Sequence, residues 1–161
     1  MLLYLMQHGL ALPKEAAPEE PLSPMGRELV TKAGQMARRL DIGFDAIACS
    51  PKLRARQTAE IMAKETGFPV EDIASTPLLK AMNPAVQTVE FLNGLNGAQS
   101  VLVAGHMPNL AKLATLIITG DDRPKIEIQN AGLLCIECSG HKFRNGTLKF
   151  SINSRHFALM R

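Results

Sequence analysis

The sequence has no tryptophan, no long apolar run and only three cysteines among its 161 residues. An odd and small number of cysteines does not make a disulfide framework, so we expect reduced thiols. No apolar run reaches the roughly 20 residues that a membrane-spanning helix needs, and the first run lacks the basic leader and cleavage site of a signal peptide. We therefore expect a cytoplasmic protein that does not bind membranes.

The net positive charge of the chain is small, which argues against nucleic-acid binding. Eighteen Lys and Arg residues against 15 Asp and Glu residues give a formal net charge of +3, with no basic stripe interleaved with aromatic residues. Nucleic-acid binding is therefore not expected, whereas an anionic substrate or an acidic partner fits. The apolar share of 46% is typical of a globular protein. A chain of this length suits one domain, residues 1–161, which we expect to be monomeric.

Short apolar runs between turn residues predict buried strands. The predicted strands are residues 1–6, 46–49 and 100–104, a weak edge strand at 70–76, and a pair at 133–138 and 147–152 joined by a turn. Cys135 and Cys138 lie three positions apart on one of these strands. They would face opposite sides of the sheet, which argues against a zinc site.

Serine followed by proline marks the start of two predicted helices, at Ser23-Pro24 and Ser50-Pro51. The predicted helices run from Pro24 to about Gly43, over 52–67, from 84 to about 94 and from 108 to 120, with no strong helix afterwards. The proline-rich stretch 10–22 is predicted to be a loop. This alternation predicts an α/β fold, a single layered α/β/α domain with a mostly parallel sheet and an antiparallel C-terminal part.

Two of the predicted parallel strands end in a histidine beside a glycine, at Gln7-His8-Gly9 and at Gly105-His106-Met107-Pro108. Ligands in open α/β sheets bind beyond the carboxyl ends of the strands, so His8 and His106 are expected to meet there. Arg54, in the first turn of the second helix, adds a guanidinium beside a helix N-terminus, which favours anions. Together these residues predict a phosphate pocket.

Three motifs in this order resemble the histidine phosphatase superfamily, whose fold is phosphoglycerate-mutase-like. They are Gln7-His8-Gly9, Ser50-Pro51-Lys52-Leu53-Arg54-Ala55-Arg56-Gln57-Thr58-Ala59 and Gly105-His106-Met107-Pro108. The short length and the form of the last two motifs look most like the bacterial phosphohistidine phosphatases of the SixA type. The resemblance covers essentially the whole chain.

The resemblance implies a metal-independent phosphatase without a cofactor. His8 would be the nucleophile, transiently phosphorylated on a ring nitrogen, and neutral imidazole is a competent nucleophile near pH 7. Arg54 would hold the phosphoryl oxygens, and His106, if protonated, would stabilise charge in the transition state. Gln7 and Gly9 complete the expected phosphate-binding set. The implied substrate is a phosphohistidine-containing protein such as a histidine-phosphotransfer domain.

The sequence departs from the family signature at Gln7, where the family has arginine. An uncharged amide in place of a guanidinium fork loses about 1–2 kcal/mol per contact, or roughly tenfold in rate or affinity. We therefore expect reduced but real activity. Arg56 and Lys80 are the candidate compensating cations, although Arg56, two positions from Arg54, is expected to point away along the helix.

A general acid is also missing from its expected place. Mutase-type members of the superfamily carry a glutamate after the second helix, whereas residues 77–84 contain no carboxylate. Glu15, Glu19 and Glu20 in the proline-rich loop are the only nearby candidates for this acid, and we interpret them as solvated charges. A phosphoramidate substrate tolerates this absence better than an alkyl phosphate, because its leaving nitrogen can be protonated before it departs.

Two other functions stay open from the residues. The same site would suit a phosphatase for small phosphate esters. Gln7 in place of arginine would suit a phosphate-binding or protein-interaction module that has lost catalysis. His141 and His156, in the polar C-terminal part, are not expected to join the site.

Overall fold

The computed structural model describes residues 1–95 and 97–159. Within these residues six strands form one sheet: β1 (Leu2–Gln7), β2 (Ala46–Cys49), β3 (Ala74–Ser75), β4 (Ser100–Gly105), β5 (Leu133–Cys138) and β6 (Gly146–Ile152). Their order across the sheet is β3-β2-β4-β1-β5-β6. The first four strands run parallel, whereas β5 is antiparallel to both of its neighbours. The predicted α/β fold with an antiparallel C-terminal part is confirmed.

The described helices are α1 (Pro24–Arg39), α2 (Leu53–Thr66), α3 (Ala85–Asn93), α4 (Asn109–Thr119) and α5 (Ser154–Ala158). Successive side chains of a strand point to opposite faces, so the central strands supply two cores. Leu5 and Val103 pack on the face covered by α3 and α4. Met6 and Leu102 pack on the face covered by α1, α2 and α5. The described residues contain no helix that is both long and apolar enough to cross a membrane.

The predicted serine cap is confirmed for α1 and wrong for α2, whose first residue lies within one position of the predicted start. Ser23 Oγ accepts a hydrogen bond from the Gly26 amide at 3.0 Å, with proline in the first turn. At the N-terminus of α2, Lys52 is the residue before the helix. Its backbone is extended, and its side chain does not cap the helix. Ser50 therefore lies too early in the chain to cap α2, and it is fully buried.

Two further predictions are corrected by the structure. The weak strand predicted at 70–76 is only Ala74–Ser75, because Val70–Asp72 forms a 3₁₀ turn. After β6 the chain forms α5, where we predicted no strong helix; this short helix buries Phe157 in the core. Cys135 and Cys138 face opposite sides of the sheet, as predicted, and the cysteines are free thiols.

The sheet order brings the carboxyl ends of three parallel strands together, because β2, β4 and β1 are direct neighbours. Gln7 at the end of β1 is in register with Gly105, and Cys49 at the end of β2 is in register with Ala104. The residues that follow these strands therefore leave the sheet along one edge. That edge carries the candidate site.

Candidate active site

The histidines that follow β1 and β4 lie side by side at this edge. Their ring centroids are 4.8 Å apart, with an interplanar angle of 61°. The parallel register produces this contact, since His8 and His106 each directly follow a residue of the registered pair Gln7 and Gly105. The structure thus brings together two side chains that are far apart in the sequence.

Backbone contacts fix the tautomer of His8. Its Nδ1 lies 2.8 Å from the Gly9 carbonyl oxygen, and because a carbonyl only accepts, Nδ1 carries the proton. The lone pair of the neutral ring is then on Nε2, to which Arg54 Nε donates at 3.1 Å. On the other side, Asn130 Nδ2 donates to the His8 carbonyl oxygen at 2.9 Å. His8 therefore presents Nε2 toward the guanidinium.

Arg54 lies in the first turn of α2, as the sequence predicts. Its side chain is 16% exposed, and its buried Nη1 has no hydrogen-bond partner among the described residues. Buried donors normally find an acceptor, and a guanidinium N–H binds anionic oxygens best. This donor, beside two imidazoles, suits a phosphoryl group.

Burial keeps both histidines neutral at pH 7. Burial lowers the pKa of His8 and the Arg54 charge lowers it further, while the hydrogen bond to Gly9 and the Glu20 carboxylate oppose these effects. Burial, followed by electrostatic interaction with His8 and by the charges of Arg54 and Lys52, lowers the pKa of His106 to about 3. His106 is therefore not a cation in the free protein. A bound phosphate dianion would favour its charged form.

His106 is anchored by a residue that we expected to cap a helix. His106 is 5% exposed, and its Nε2 lies 3.0 Å from Ser50 Oγ. A hydroxyl both donates and accepts, so this contact suits either neutral tautomer. Beside the ring opens a cavity of about 250 Å³, lined by Lys52, Arg54, Lys80, Ala81, Met82 and His106. Lys52, Arg54 and Lys80 bring cationic side chains to a cavity whose accessible lining is mostly apolar.

The proline-rich loop enters the site through Glu20. Its Oε2 lies 3.1 Å from Arg54 Nη1, an ion pair whose geometry does not make a hydrogen bond. Our interpretation of Glu20 as a solvated charge is therefore wrong, whereas Glu15 and Glu19 are exposed. The sequence gives no sign of this pairing, because the two residues come from separate segments.

Gln7 and Gly9, the two expected phosphate-binding residues beside His8, have different surroundings. Gln7 lines a cleft next to the site, together with Met107 and Asn130. The Gly9 amide is already bonded to Thr58 Oγ1 at 3.0 Å, so it is not free to bind phosphate in this arrangement. Gly9 is required sterically, since a Cβ there would lie 2.8 Å from Val30 Cγ2.

The remaining candidates fall outside the site, with one exception. Lys80 lines the cavity beside His106 and remains a candidate for compensating Gln7. Arg56 points away, as predicted, and pairs with Glu60 at 3.8 Å. His141 lines a different cavity, and His156 is exposed on α5.

The supporting contacts of Ser50, Gln57 and Asn130 are not predicted from the sequence. Gln57 Oε1 accepts from the Leu22 amide at 2.8 Å and so fixes the end of the proline-rich loop. Ser50 and Gln57 belong to the motif that carries Arg54, which is a usable signal, whereas Asn130 belongs to no motif. In the described part of the chain, no group of three or more His, Cys, Asp or Glu residues is arranged to hold a metal ion.

Comparison with known proteins shows the family of this chain. The model of the histidine phosphatase superfamily (branch 1) matches residues 3–80, the part that carries His8 and Arg54. An uncharacterized protein of Picosynechococcus sp. (strain PCC 7002) is 30% identical over 138 residues, which cover 83% of this chain and 83% of that protein. The chain belongs to the histidine phosphatase superfamily. Phosphatase chemistry is the activity that this membership supports.

Solved structures of phosphatases share the fold of this superfamily member. The protein histidine phosphatase SixA complexed with tungstate aligns with a TM-score of 0.85 and 21% identity, over 97% of this chain and 99% of its own. The alpha-ribazole phosphatase from Shigella flexneri aligns with a TM-score of 0.77 and 16% identity, over 96% of this chain and 97% of its own. At such identities the similarity concerns the fold and leaves the substrate open.

Proposed function

We propose that this chain is a phosphohistidine phosphatase, which removes phosphate from a phosphohistidine protein in the cytoplasm through a phosphorylated intermediate at His8. The fixed tautomer of His8 carries the proposal. Nδ1 is committed to the Gly9 carbonyl oxygen, and Nε2 keeps a lone pair 3.1 Å from Arg54 Nε. A neutral imidazole with an unprotonated Nε2 is the nucleophilic form near pH 7.

The reaction divides into two displacements at phosphorus. In the first, the His8 Nε2 lone pair attacks phosphorus, and the bond to the substrate nitrogen breaks with its electron pair going to that nitrogen. In the second, water attacks the phosphorus of phospho-His8, and the broken P–N bond returns its electron pair to Nε2. The water oxygen leaves as part of inorganic phosphate, and its surplus proton goes to solvent.

The charged groups around His8 supply the electrostatic stabilisation. Arg54 Nη1 is buried, and its contact with Glu20 Oε2 at 3.1 Å is an ion pair without a hydrogen bond, so this N–H would donate to a phosphoryl oxygen. His106, 4.8 Å from the His8 ring, is neutral until the dianion arrives. Because a nearby negative charge raises the pKa of an imidazole, phosphate binding would be coupled to proton uptake by His106, which then donates to the same group.

The residues around the cavity favour a phosphoramidate over an alkyl phosphate. An alkoxide leaving group needs a proton from a positioned acid. The segment where mutase-type members carry that acid lines the cavity with Lys80, Ala81 and Met82 instead. A phosphohistidine ring can take its proton from solvent before it leaves, so it does not need an acid from this segment.

A phosphoprotein-binding module without turnover is the second candidate, favoured by Gln7. The end of β1 holds an amide where the family has a guanidinium, so one charged contact to the phosphoryl group is missing. Binding tolerates this loss better than catalysis, since the transition state needs the strongest charge stabilisation.

The deciding experiment is hydrolysis of a phosphorylated histidine-phosphotransfer domain by the wild type and His8→Ala. We expect turnover by the wild type, none by the variant, and an acid-labile phosphoenzyme that forms only with the wild type. A wild-type rate equal to that of His8→Ala would reject the proposal. Binding of the phosphorylated domain without turnover would favour the module, and faster cleavage of aryl or sugar phosphates would favour an ester phosphatase.

A further inference from the structure

We infer that Glu20 determines the substrate class of this site: its carboxylate favours phosphoramidates whose leaving group carries a positive charge over phosphate esters. The preferred class includes phosphohistidine protonated on its second ring nitrogen. The inference rests on the proposed function and deepens it. Glu20 acts here as a specificity-determining residue.

One guanidinium joins Glu20 to the nucleophile. Arg54 Nε lies 3.1 Å from His8 Nε2, and Nη1 of the same group lies 3.1 Å from Glu20 Oε2. A phosphoryl group accepted by Nε2 and held by Arg54 therefore lies close to the carboxylate. We expect the substituent on that phosphoryl group to lie within reach of the same negative charge.

The loop holds Glu20 at this position. The loop is closed by hydrogen bonds from the Leu12 amide to the Pro21 carbonyl oxygen at 2.8 Å and from the Ser23 amide to the Leu10 carbonyl oxygen at 2.8 Å. The Glu20 backbone has φ of 49°, in the left-handed region that non-glycine residues rarely occupy. Such a backbone conformation costs free energy and persists only where the surrounding structure holds it, as the two loop-closing hydrogen bonds do here.

A carboxylate in a phosphate pocket is selective because of its sign. It repels a phosphate ester, which brings only negative charge to the site. A protonated phosphoramidate brings a negative phosphoryl group for Arg54, Lys52 and Lys80, and a positive leaving group for Glu20. The protonated form is also the one whose nitrogen leaves as a neutral molecule. Glu20 thus favours the reactive form of the substrate and disfavours the competing class.

The test compares two substrates on three proteins. We would measure kcat/KM for phosphoimidazole and for p-nitrophenyl phosphate with the wild type, Glu20→Gln and the control Glu19→Gln, whose residue is exposed on the same loop. We expect the ratio of the two values to fall roughly tenfold or more in Glu20→Gln, through a loss on phosphoimidazole and a gain on p-nitrophenyl phosphate. The control should keep the wild-type ratio. An equal change on both substrates would mean that Glu20 only orients Arg54, and this would overturn the inference.

A binding measurement separates this inference from the proposed function. Wild-type turnover of phosphoimidazole with an unchanged ratio in Glu20→Gln would keep the proposed function and reject the role of Glu20. If the wild type turns over neither substrate, calorimetry would compare the binding of phosphoimidazole with that of inorganic phosphate. A preference for phosphoimidazole that Glu20→Gln abolishes would keep the inference while the proposed function fails. Equal binding of phosphoimidazole and inorganic phosphate by the wild type would reject both the role of Glu20 and the proposed function.

Discussion

The amide of Gly9 donates a hydrogen bond to Thr58 Oγ1 at 3.0 Å, and the same hydroxyl donates to the Arg54 carbonyl oxygen at 2.7 Å. One buried hydroxyl therefore joins the loop after β1 to the first turn of α2. The contact between His8 and Arg54 depends on how these two elements are placed. Thr58 is consequently a positioning residue for the site.

Replacement of Thr58 by valine removes this link while nearly keeping the side-chain volume. The Gly9 amide would be left buried without its acceptor, which costs about 1–3 kcal/mol. Misplacement of His8 relative to Arg54 should also lower turnover by roughly tenfold or more. Urea denaturation and phosphohistidine hydrolysis measure the two effects.

Thr66→Val is the matched control for Thr58→Val. Thr66 makes the same hydrogen bond to a carbonyl one turn earlier, to Met62 at 2.8 Å, on the same helix. It lies at the far end of α2 from the site. We expect little loss of stability and unchanged turnover, so equal losses in both valine variants would contradict a positioning role for Thr58.

Gln7→Arg should raise activity, because it restores the guanidinium that the family has at this position. A charged hydrogen bond contributes about 1–2 kcal/mol more than a neutral one, which corresponds to roughly tenfold in kcat/KM. Gln129→Arg adds the same charge to an exposed position in the neighbouring cleft and serves as the control. Equal gains in both variants would show a general effect of charge and contradict a specific contact at position 7.

The depressed pKa of His106 should make the fold less stable as the pH falls. The pKa changes from 6.5 in the unfolded chain to about 3 in the folded protein, so between these values the unfolded chain binds a proton that the folded site does not. Stability is then fully present above about pH 6.5 and is lost toward pH 3. Between pH 6.5 and pH 5 the wild type should lose about 2 kcal/mol more than His106→Gln. Parallel pH profiles in urea denaturation would contradict this.

The closed base of the proline-rich loop depends on Gly26. A Cβ at this residue would overlap the backbone carbonyl of Leu10, against which the start of α1 packs. Gly26→Ala should therefore cost about 1–3 kcal/mol, as overpacking does, and should shift the loop that carries Glu20. Gly43→Ala, where a Cβ meets no atom within 4 Å, is the control and should stay within about 0.5 kcal/mol of the wild type in urea denaturation.

The sequence by itself determined the mixed, mostly parallel character of the sheet and the end of each strand or helix on which His8, His106 and Arg54 lie. Apolar runs and turn residues are local signals, and they predict most of the strands and helices. Parallel strands that end in Gln7-His8-Gly9 and Gly105-His106 must place their histidines at one edge. Arg54 is set by its place in the first turn of α2. All of these predictions follow from local sequence signals, without knowledge of the distances between segments that are far apart in the chain.

Only the tertiary structure decided the chemistry of that edge. Glu20 pairs with Arg54, and Ser50 contacts His106 rather than capping a helix. The neutral state of His106 follows from burial and from interactions with two other segments, which carry His8 and the pair Lys52 and Arg54. These properties depend on the distances between side chains from distant parts of the chain and on how deeply those side chains are buried. Residue types and their spacing in the sequence predict neither the distances nor the burial.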